Sequence, residues 1–186
     1  MEFLDLNNFE KLSIIGQGSF GKVFKVIKKD SKEIYAAKIS LQQLNVDQQA
    51  LITNLKREVN IISQLDHPSI LKFIGYSPID FSQEPYPTIV TEYSSNGSLD
   101  RIINQERQSL SLPQWDDTQK LINIYGIASA MSYLHANNII HRDLKPANIL
   151  EDDYLFPKIS DFGLTKISHK NDEITSIDQF DGDTVF

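Results

Sequence analysis

The chain has 186 residues, 40% of them hydrophobic and 23% charged, with a formal net charge of −7. That makeup suits a globular protein with a buried core, and its acidic balance argues against a broad footprint for nucleic acid or anionic lipid, so no nucleic-acid partner is expected. The absence of cysteine excludes disulfides and thiolate metal sites, and no apolar run suits a leader or a bilayer span, so the expected location is cytoplasmic, with the nucleus as an alternative.

Residues Lys11–Ile15 and Lys22–Ile27 alternate apolar and polar side chains around a glycine cluster, which predicts two antiparallel strands. Lys28–Lys32 reads as a polar turn and Glu33–Ile39 as a third strand. The period then changes. Ile52, Leu55, Val59 and Ile62 recur at steps of three and four, one apolar stripe on a helix that Asp66-His67-Pro68 should end, because the residue before a proline is pushed out of helical geometry. Two apolar segments, Ile70–Tyr76 and Pro87–Tyr93, flank a proline-rich loop and extend the sheet to five strands. Helical patterns follow in Ser98–Glu106 and Asp116–His135. In the second, Asp116 and Gln119 form a capping box, and Leu121, Ile124, Ala128, Met131 and Leu134 make the apolar face. Short strands are predicted at Asn138–His141, Asn148–Glu151 and Pro157–Ser160, and 167–186 is polar with no period. The expected fold class is α+β.

Gly16-Gln17-Gly18-Ser19-Phe20-Gly21 is a G-x-G-x-x-G element, which can mark a dinucleotide site, a phosphate-binding hairpin or an ordinary turn. In a dinucleotide site a helix follows the glycines, whereas here Lys22–Ile27 is strand-like. A glycine-rich hairpin lets backbone N–H groups approach phosphate oxygens. Lys38, on the next strand after the small Ala36 and Ala37, can reach such a phosphate, and Glu58 at the edge of the helical stripe can pair with it. A solvated lysine and an exposed helical glutamate are the ordinary alternatives. The decisive segment runs from His141-Arg142-Asp143-Leu144-Lys145-Pro146-Ala147-Asn148 to Asp161-Phe162-Gly163. Asp143 can accept a hydroxyl proton, Lys145 can neutralise a transferring phosphoryl group, and Asn148 and Asp161 offer hard oxygens suited to Mg²⁺.

The order of these motifs resembles the eukaryotic protein kinase superfamily over nearly the whole chain. The resemblance implies a bilobal fold, with 1–90 as the ATP-binding lobe, a five-stranded antiparallel sheet plus one helix. It makes 91–97 the hinge and 98–186 part of a helical catalytic lobe. It implies ATP and Mg²⁺ as cofactors and a protein substrate with a Ser or Thr acceptor, and leaves the oligomeric state open. By the same resemblance Ile15, Gly16, Gln17, Gly18, Ser19, Phe20, Gly21 and Val23 cover the nucleotide, Lys38 contacts the α- and β-phosphates, and Glu58 fixes Lys38. Asp143 becomes the catalytic aspartate, with Asn148 and Asp161 as metal ligands. Val23, Ala36 and Leu150 would sandwich the adenine, and Thr91 would be the gatekeeper before a hinge that begins with Glu92 and Tyr93. Ile62, His141 and Phe162 would belong to a stacked column joining the lobes, which makes His141 a packing residue. Lys145 in its His-Arg-Asp-Leu-Lys-Pro-x-Asn setting is similar to serine/threonine kinases, and Leu71–Gly75 and Val90–Leu99 resemble their tyrosine-kinase-like branch.

The sequence departs from the family in stopping at Asp183-Thr184-Val185-Phe186 without an Ala-Pro-Glu motif, with Asp183 where a threonine is common. The expectation is an incomplete helical lobe, apolar surface left open on the Asp116–His135 helix, and poor phosphate transfer by this chain alone. Ser168, Thr175, Ser176 and Thr184 offer hydroxyls for phosphorylation, for which the resemblance makes Arg142 the partner. The competing reading is a nucleotide-binding interaction module without turnover, of the pseudokinase kind. Retention of Lys38, Glu58, Asp143, Asn148 and Asp161 together favours the enzyme.

Overall fold

A computed structural model describes residues 3–18, 21–43, 49–110 and 112–167. Ser19, Phe20, Ser168, Thr175, Ser176, Asp183 and Thr184, all singled out above, lie outside the described residues. Strands β1 (Phe9–Gln17), β2 (Gly21–Lys28), β3 (Ile34–Ser40), β4 (Phe73–Ser77) and β5 (Thr88–Glu92) form one sheet in the order β1-β2-β3-β5-β4, every pair antiparallel. The register sets Val23 opposite Lys38, Lys25 opposite Ala36, and Ala36 opposite Thr91. Cross-strand partners share a face and chain neighbours alternate. Val23, Ala36, Lys38 and Thr91 therefore fall on one face. The opposite face carries Val26, Ala37 and Val90, which close a buried cluster with Leu6 and Phe9.

Helix α1 (Gln49–Ile62) joins β3 to β4, with Val59 and Ile62 buried and Leu55 half-buried, as the predicted stripe requires; the Ile52 side chain lies outside the described ones. It ends four residues before the predicted Asp66. Gln64 N donates to Ile61 O at 3.1 Å and Leu65 N to Ile62 O at 3.3 Å, three-residue bonds that tighten the last turn. Asp66 N then donates to the Tyr133 hydroxyl at 3.1 Å, which takes the chain out of the helix before the proline acts.

The second lobe contains β6 (Gly97–Ser98), α2 (Leu99–Arg107), α3 (Asp117–Ala136), β7 (Ile139–Ile140), β8 (Ile149–Glu151), β9 (Pro157–Ile159) and β10 (Lys166–Ile167). A small sheet runs β6-β8-β9, and β7 pairs with β10. Under α2, Leu99, Ile102, Trp115, Ile149 and Leu155 form one buried cluster. A second joins the lobes, through Ile61 and Ile62 of α1, Ile70, Ala130 and Leu134 of α3, Ile139, Ile159 and Phe162. Fully burying an Ile or Leu side chain contributes about 1.5–3 kcal/mol, so this cluster dominates the attachment of one lobe to the other. No described helix is long and apolar enough to cross a membrane.

Helix α3 corrects two expectations. Asp116 caps it by accepting from Gln119 N at 2.8 Å, but the Gln119 side chain does not return to complete the box; it donates to Leu155 O at 2.6 Å instead. The predicted apolar face is also rotated: Leu121, Ile124 and Ala128 are exposed, and the buried side is Asn123, Ala130 and Leu134, with Ile127 and Met131 packed beside them. The reason is close approach. A Cβ on Gly126 would lie 2.7 Å from Pro157 Cγ and 2.8 Å from Ser69 Oγ, so the side of α3 with small residues is the one pressed onto β9. Gly126→Ala should destabilise the protein by about 1–3 kcal/mol in chemical denaturation, overriding the roughly 1 kcal/mol by which alanine favours a helix. An unchanged or raised midpoint would refute that packing.

Candidate active site

Two of the three glycines in the β1–β2 hairpin are not demanded by the fold. Gly21 is, because a Cβ there would lie 2.6 Å from Ile39 O. At Gly16 the nearest atoms to a Cβ are in Val23 at 3.7 Å, ordinary contact, and at Gly18 nothing lies within 4 Å. Gly18 N donates to Gly21 O at 3.0 Å and closes the turn. Glycine at 18 leaves the backbone bare toward open space, the arrangement a bound phosphate needs.

Lys38 reaches from the sheet to the other lobe. Its Nζ lies 3.4 Å from Asp161 Oδ1 and 4.0 Å from Glu58 Oε1, so the expected Glu58 pair exists as the longer of two contacts. The Glu58 carboxyl is pushed above its usual range by burial, with Lys38 opposing and the charge of Asp161 adding to the push. Lys38 thus sits between two carboxylates on the face that also carries Val23, Ala36 and Thr91.

The loop from His141 to Asn148 leads into the β8–β9 hairpin. Ile149 pairs with Ile159, and one step beyond that register Asn148 O accepts from Ser160 N at 2.8 Å and Ser160 Oγ at 2.9 Å. Asn148 and Asp161 are thereby brought to the same end of the hairpin. Asn148 Nδ2 donates to Asp143 O and to Asp143 Oδ2, each at 2.8 Å, and Lys145 Nζ lies 2.8 Å from Asp143 Oδ2. Asp143 is held below the usual carboxylate range, first by the Lys145 bond and next by the Asn148 amide, against its own desolvation. His141, fully buried, packs edge-on against Phe162 with centroids 5.1 Å apart. Its Nε2 donates to Ser160 O at 2.9 Å and its Nδ1 accepts from Asp143 N at 3.3 Å, so it orients the loop and makes the packing contact expected of it. Arg142, at φ 67°, donates from Nε to Leu164 O at 2.6 Å, and Asp161 sits at φ 61°. Non-glycine residues in this region store strain of order 1–3 kcal/mol each, and here one precedes Asp143 and the other is Asp161 itself.

At the other end of the cleft, Thr91 and Glu92 lie within β5 and Gly97 opens β6, so 93–96 alone lies outside regular elements. Thr91 Oγ1 donates to Glu92 O at 3.1 Å, Lys25 Nζ stands 4.8 Å over the Tyr93 ring, and Leu150 lies opposite Lys158 in the hairpin below. Sequence reasoning missed what the Glu92 side chain does. It accepts from Lys72 N at 2.8 Å and pairs with Lys158 Nζ at 3.4 Å, tying the end of β5 to the β4 approach and to β9. The signal was the alternation Pro157, Lys158, Ile159, which turns the lysine away from its buried neighbours toward the Leu150 side. Phe73, half-buried against the interlobe cluster, was read only as a strand residue.

The donor set suits a hard cation. Among the described residues no group of three His, Cys, Asp or Glu is gathered for a metal. One amide and one carboxylate at the same end of the hairpin instead suit Mg²⁺, which keeps water and takes phosphate oxygens.

Residues 9–185 match the family model of the protein kinase domain. The chain belongs to that family. It is 36% identical over 166 residues to a probable L-type lectin-domain containing receptor kinase of Arabidopsis thaliana, covering 87% of this chain and 23% of that protein. To a cysteine-rich receptor-like protein kinase of Oryza sativa subsp. japonica it is 37% identical over 164 residues, covering 87% and 22%. To a probable serine/threonine-protein kinase of Dictyostelium discoideum it is 33% identical over 165 residues, covering 89% and 17%. The chain spans about a fifth of the length of these curated relatives. The family in general uses ATP and Mg²⁺.

Two measurements check this arrangement. Lys145→Met should let the Asp143 carboxyl titrate nearer the ordinary aspartate range, followed by carboxyl carbon NMR; an unmoved titration would show that Lys145 is not the main cause of its acidity. Lys158→Met, which leaves the Glu92 carboxylate half-buried without its cation, should cost about 1 kcal/mol in thermal or chemical denaturation, and a cost of zero would show the pair to be inert.

Proposed function

We propose that this chain carries the nucleotide-binding and catalytic centre of an ATP- and Mg²⁺-dependent protein kinase that phosphorylates serine or threonine hydroxyls. The observation that supports the reading most is the 3.4 Å approach of Lys38 to Asp161, because it joins the sheet to the hairpin that carries Asn148. Had these two groups faced different surfaces, no single triphosphate could use both.

Val23, Ala36 and Leu150 supply apolar surfaces for a base, and the backbone near Glu92 and Tyr93 supplies hydrogen bonds at its edge. The hairpin, bare at Gly18, approaches the phosphates, and Lys38 neutralises them. Asn148 and Asp161 would hold Mg²⁺, which supplies electrostatic stabilisation of phosphate charge. Asp143 orients the acceptor hydroxyl and takes its proton as the new oxygen–phosphorus bond forms and the bond to the diphosphate leaving group breaks. Its depressed pKa makes it a weak base while Lys145 is attached. When Lys145 turns from Asp143 to the phosphoryl oxygens, Asp143 loses its strongest acidifying contact, so its basicity rises at the moment it is needed. Asp143 is ionised across the neutral range and its function is lost only on acidification through its depressed value.

The test separates binding from turnover. Saturating Mg-ATP at about one hundred times its dissociation constant should stabilise the chain by about 2.7 kcal/mol, read as a thermal shift, and Lys38→Met or Asp161→Ala should abolish the shift. Asp143→Asn should keep the shift and remove any transfer of phosphate to a Ser/Thr peptide. A wild-type chain that takes up no Mg-ATP overturns the reading; since this chain alone is expected to transfer phosphate poorly, binding without transfer agrees with both the kinase reading and the interaction-module alternative, and transfer that Asp143→Asn removes favours the kinase.

A further inference from the structure

Glu151 ends β8, three residues past Asn148, and has no exposed surface. Neither of its carboxyl oxygens has a hydrogen-bond partner among the described residues. Beside it is the amide of Asn123 on α3, 3% exposed. Asn123 Nδ2 donates to Leu155 O at 2.9 Å and to Gln119 O at 3.3 Å, which uses both of its N–H groups. That settles which way the amide points. The atom it has left is Oδ1, and this oxygen too is buried without a partner.

An ionised Glu151 would leave its own oxygens and Asn123 Oδ1 unbonded in a dry site, and the nearby Asn123 N–H groups, already given to Leu155 O and Gln119 O, offer the anion only partial relief. A carboxylic acid carries one O–H donor and satisfies both groups with a single bond. The charged side chains on the surrounding elements do not relieve an anion there. Lys158 of β9 lies opposite Leu150, on the other face of the hairpin from Glu151, and is paired with Glu92. Lys120 of α3 is engaged by Glu106 and Asp117, and Asp116 and Asp117 are themselves acidic. On α2, Arg101 lies over Gly97 and is exposed, Arg107 is exposed, and Asp100 is acidic. On the chain beyond β8, Asp152 adds a negative charge that opposes ionisation, and Asp153 is a second acid. The β6 strand contributes no charge.

We propose that Glu151 is a positioning residue that stays protonated in the folded protein and donates its carboxyl proton to Asn123 Oδ1, fastening the β8–β9 hairpin, and with it Asn148 and Asp161, onto α3. Burial, with Asp152 acting in the same direction and the Asn123 amide opposing, pushes the Glu151 carboxyl up to about 8. A raised folded value means that the fastening contributes fully below the ordinary glutamate value of 4.5, weakens as the pH rises, and is gone once the pH passes about 8. The seat of the hairpin is therefore tightest in acid and loosens across the neutral range.

The inference stands whether or not the chain transfers phosphate, and its test uses the unmodified chain first. Carboxyl carbon NMR of Glu-labelled protein should show one glutamate titrating several units above the ordinary range, assigned by its loss in Glu151→Gln. Melting temperature should fall between about pH 6 and 8 in the wild type and fall less in Glu151→Gln, whose amide donates to Asn123 Oδ1 without titrating. Should that variant not fold, Asn123→Leu with Glu151→Leu replaces the pair by apolar side chains and should likewise lessen the slope. A spectrum in which every glutamate titrates in the ordinary range, or a variant with the wild-type slope, overturns the proposal.

Discussion

The site depends on one closed junction, the pair of hydrogen bonds that Ser160 gives to the carbonyl of Asn148. That junction extends the β8–β9 register by one step and fixes the separation of Asn148 from Asp161, while the Asn148 amide secures Asp143 from the other side. Three side chains drawn from positions 143, 148 and 161 are in this way placed by a single strand pairing. His141 reinforces it from beneath, bonding Ser160 with one ring nitrogen and Asp143 with the other.

The sheet contributes by alternation alone. With β2, β3 and β5 in their observed register, Val23, Ala36, Lys38 and Thr91 and the residues that fill the upper core occupy opposite faces, and no loop is needed to aim them. Lys38 then bridges to Asp161 across the cleft, while Phe162, next in the chain, is 2% exposed in the interlobe cluster. One residue makes the polar contact and its neighbour the apolar one, so the position of the hairpin relative to α1 is held by both.

Much of this was legible in the residues because the chemistry requires rare combinations. Glycines at 16, 18 and 21 before a strand, a lysine after two alanines, and Asp143, Asn148 and Asp161 at their spacings leave few other readings. The five strands were legible because their side chains alternate. What escaped was packing that polar and small residues decide. On α3 the periodic Leu121, Ile124 and Ala128 look like a core face, yet the side pressed inward carries Asn123 and Gly126, since an internal hydrogen-bonded asparagine and a glycine contact cannot be told from surface residues by hydropathy. The Glu92 contacts escaped for a related reason. A glutamate and a lysine sixty-odd positions apart carry no local mark of being partners.

Trp115, the single tryptophan of the chain, lies in the cluster under α2 with its indole N–H on Glu106. Its placement gives the molecule an optical asymmetry. Intrinsic tryptophan emission follows the solvation of the α2–α3 region and has no reporter in the sheet, whose aromatic side chains are phenylalanine and tyrosine. Emission and backbone circular dichroism therefore coincide on melting only where the two lobes come apart in one step, and a gap between the two curves measures how independently the sheet unfolds.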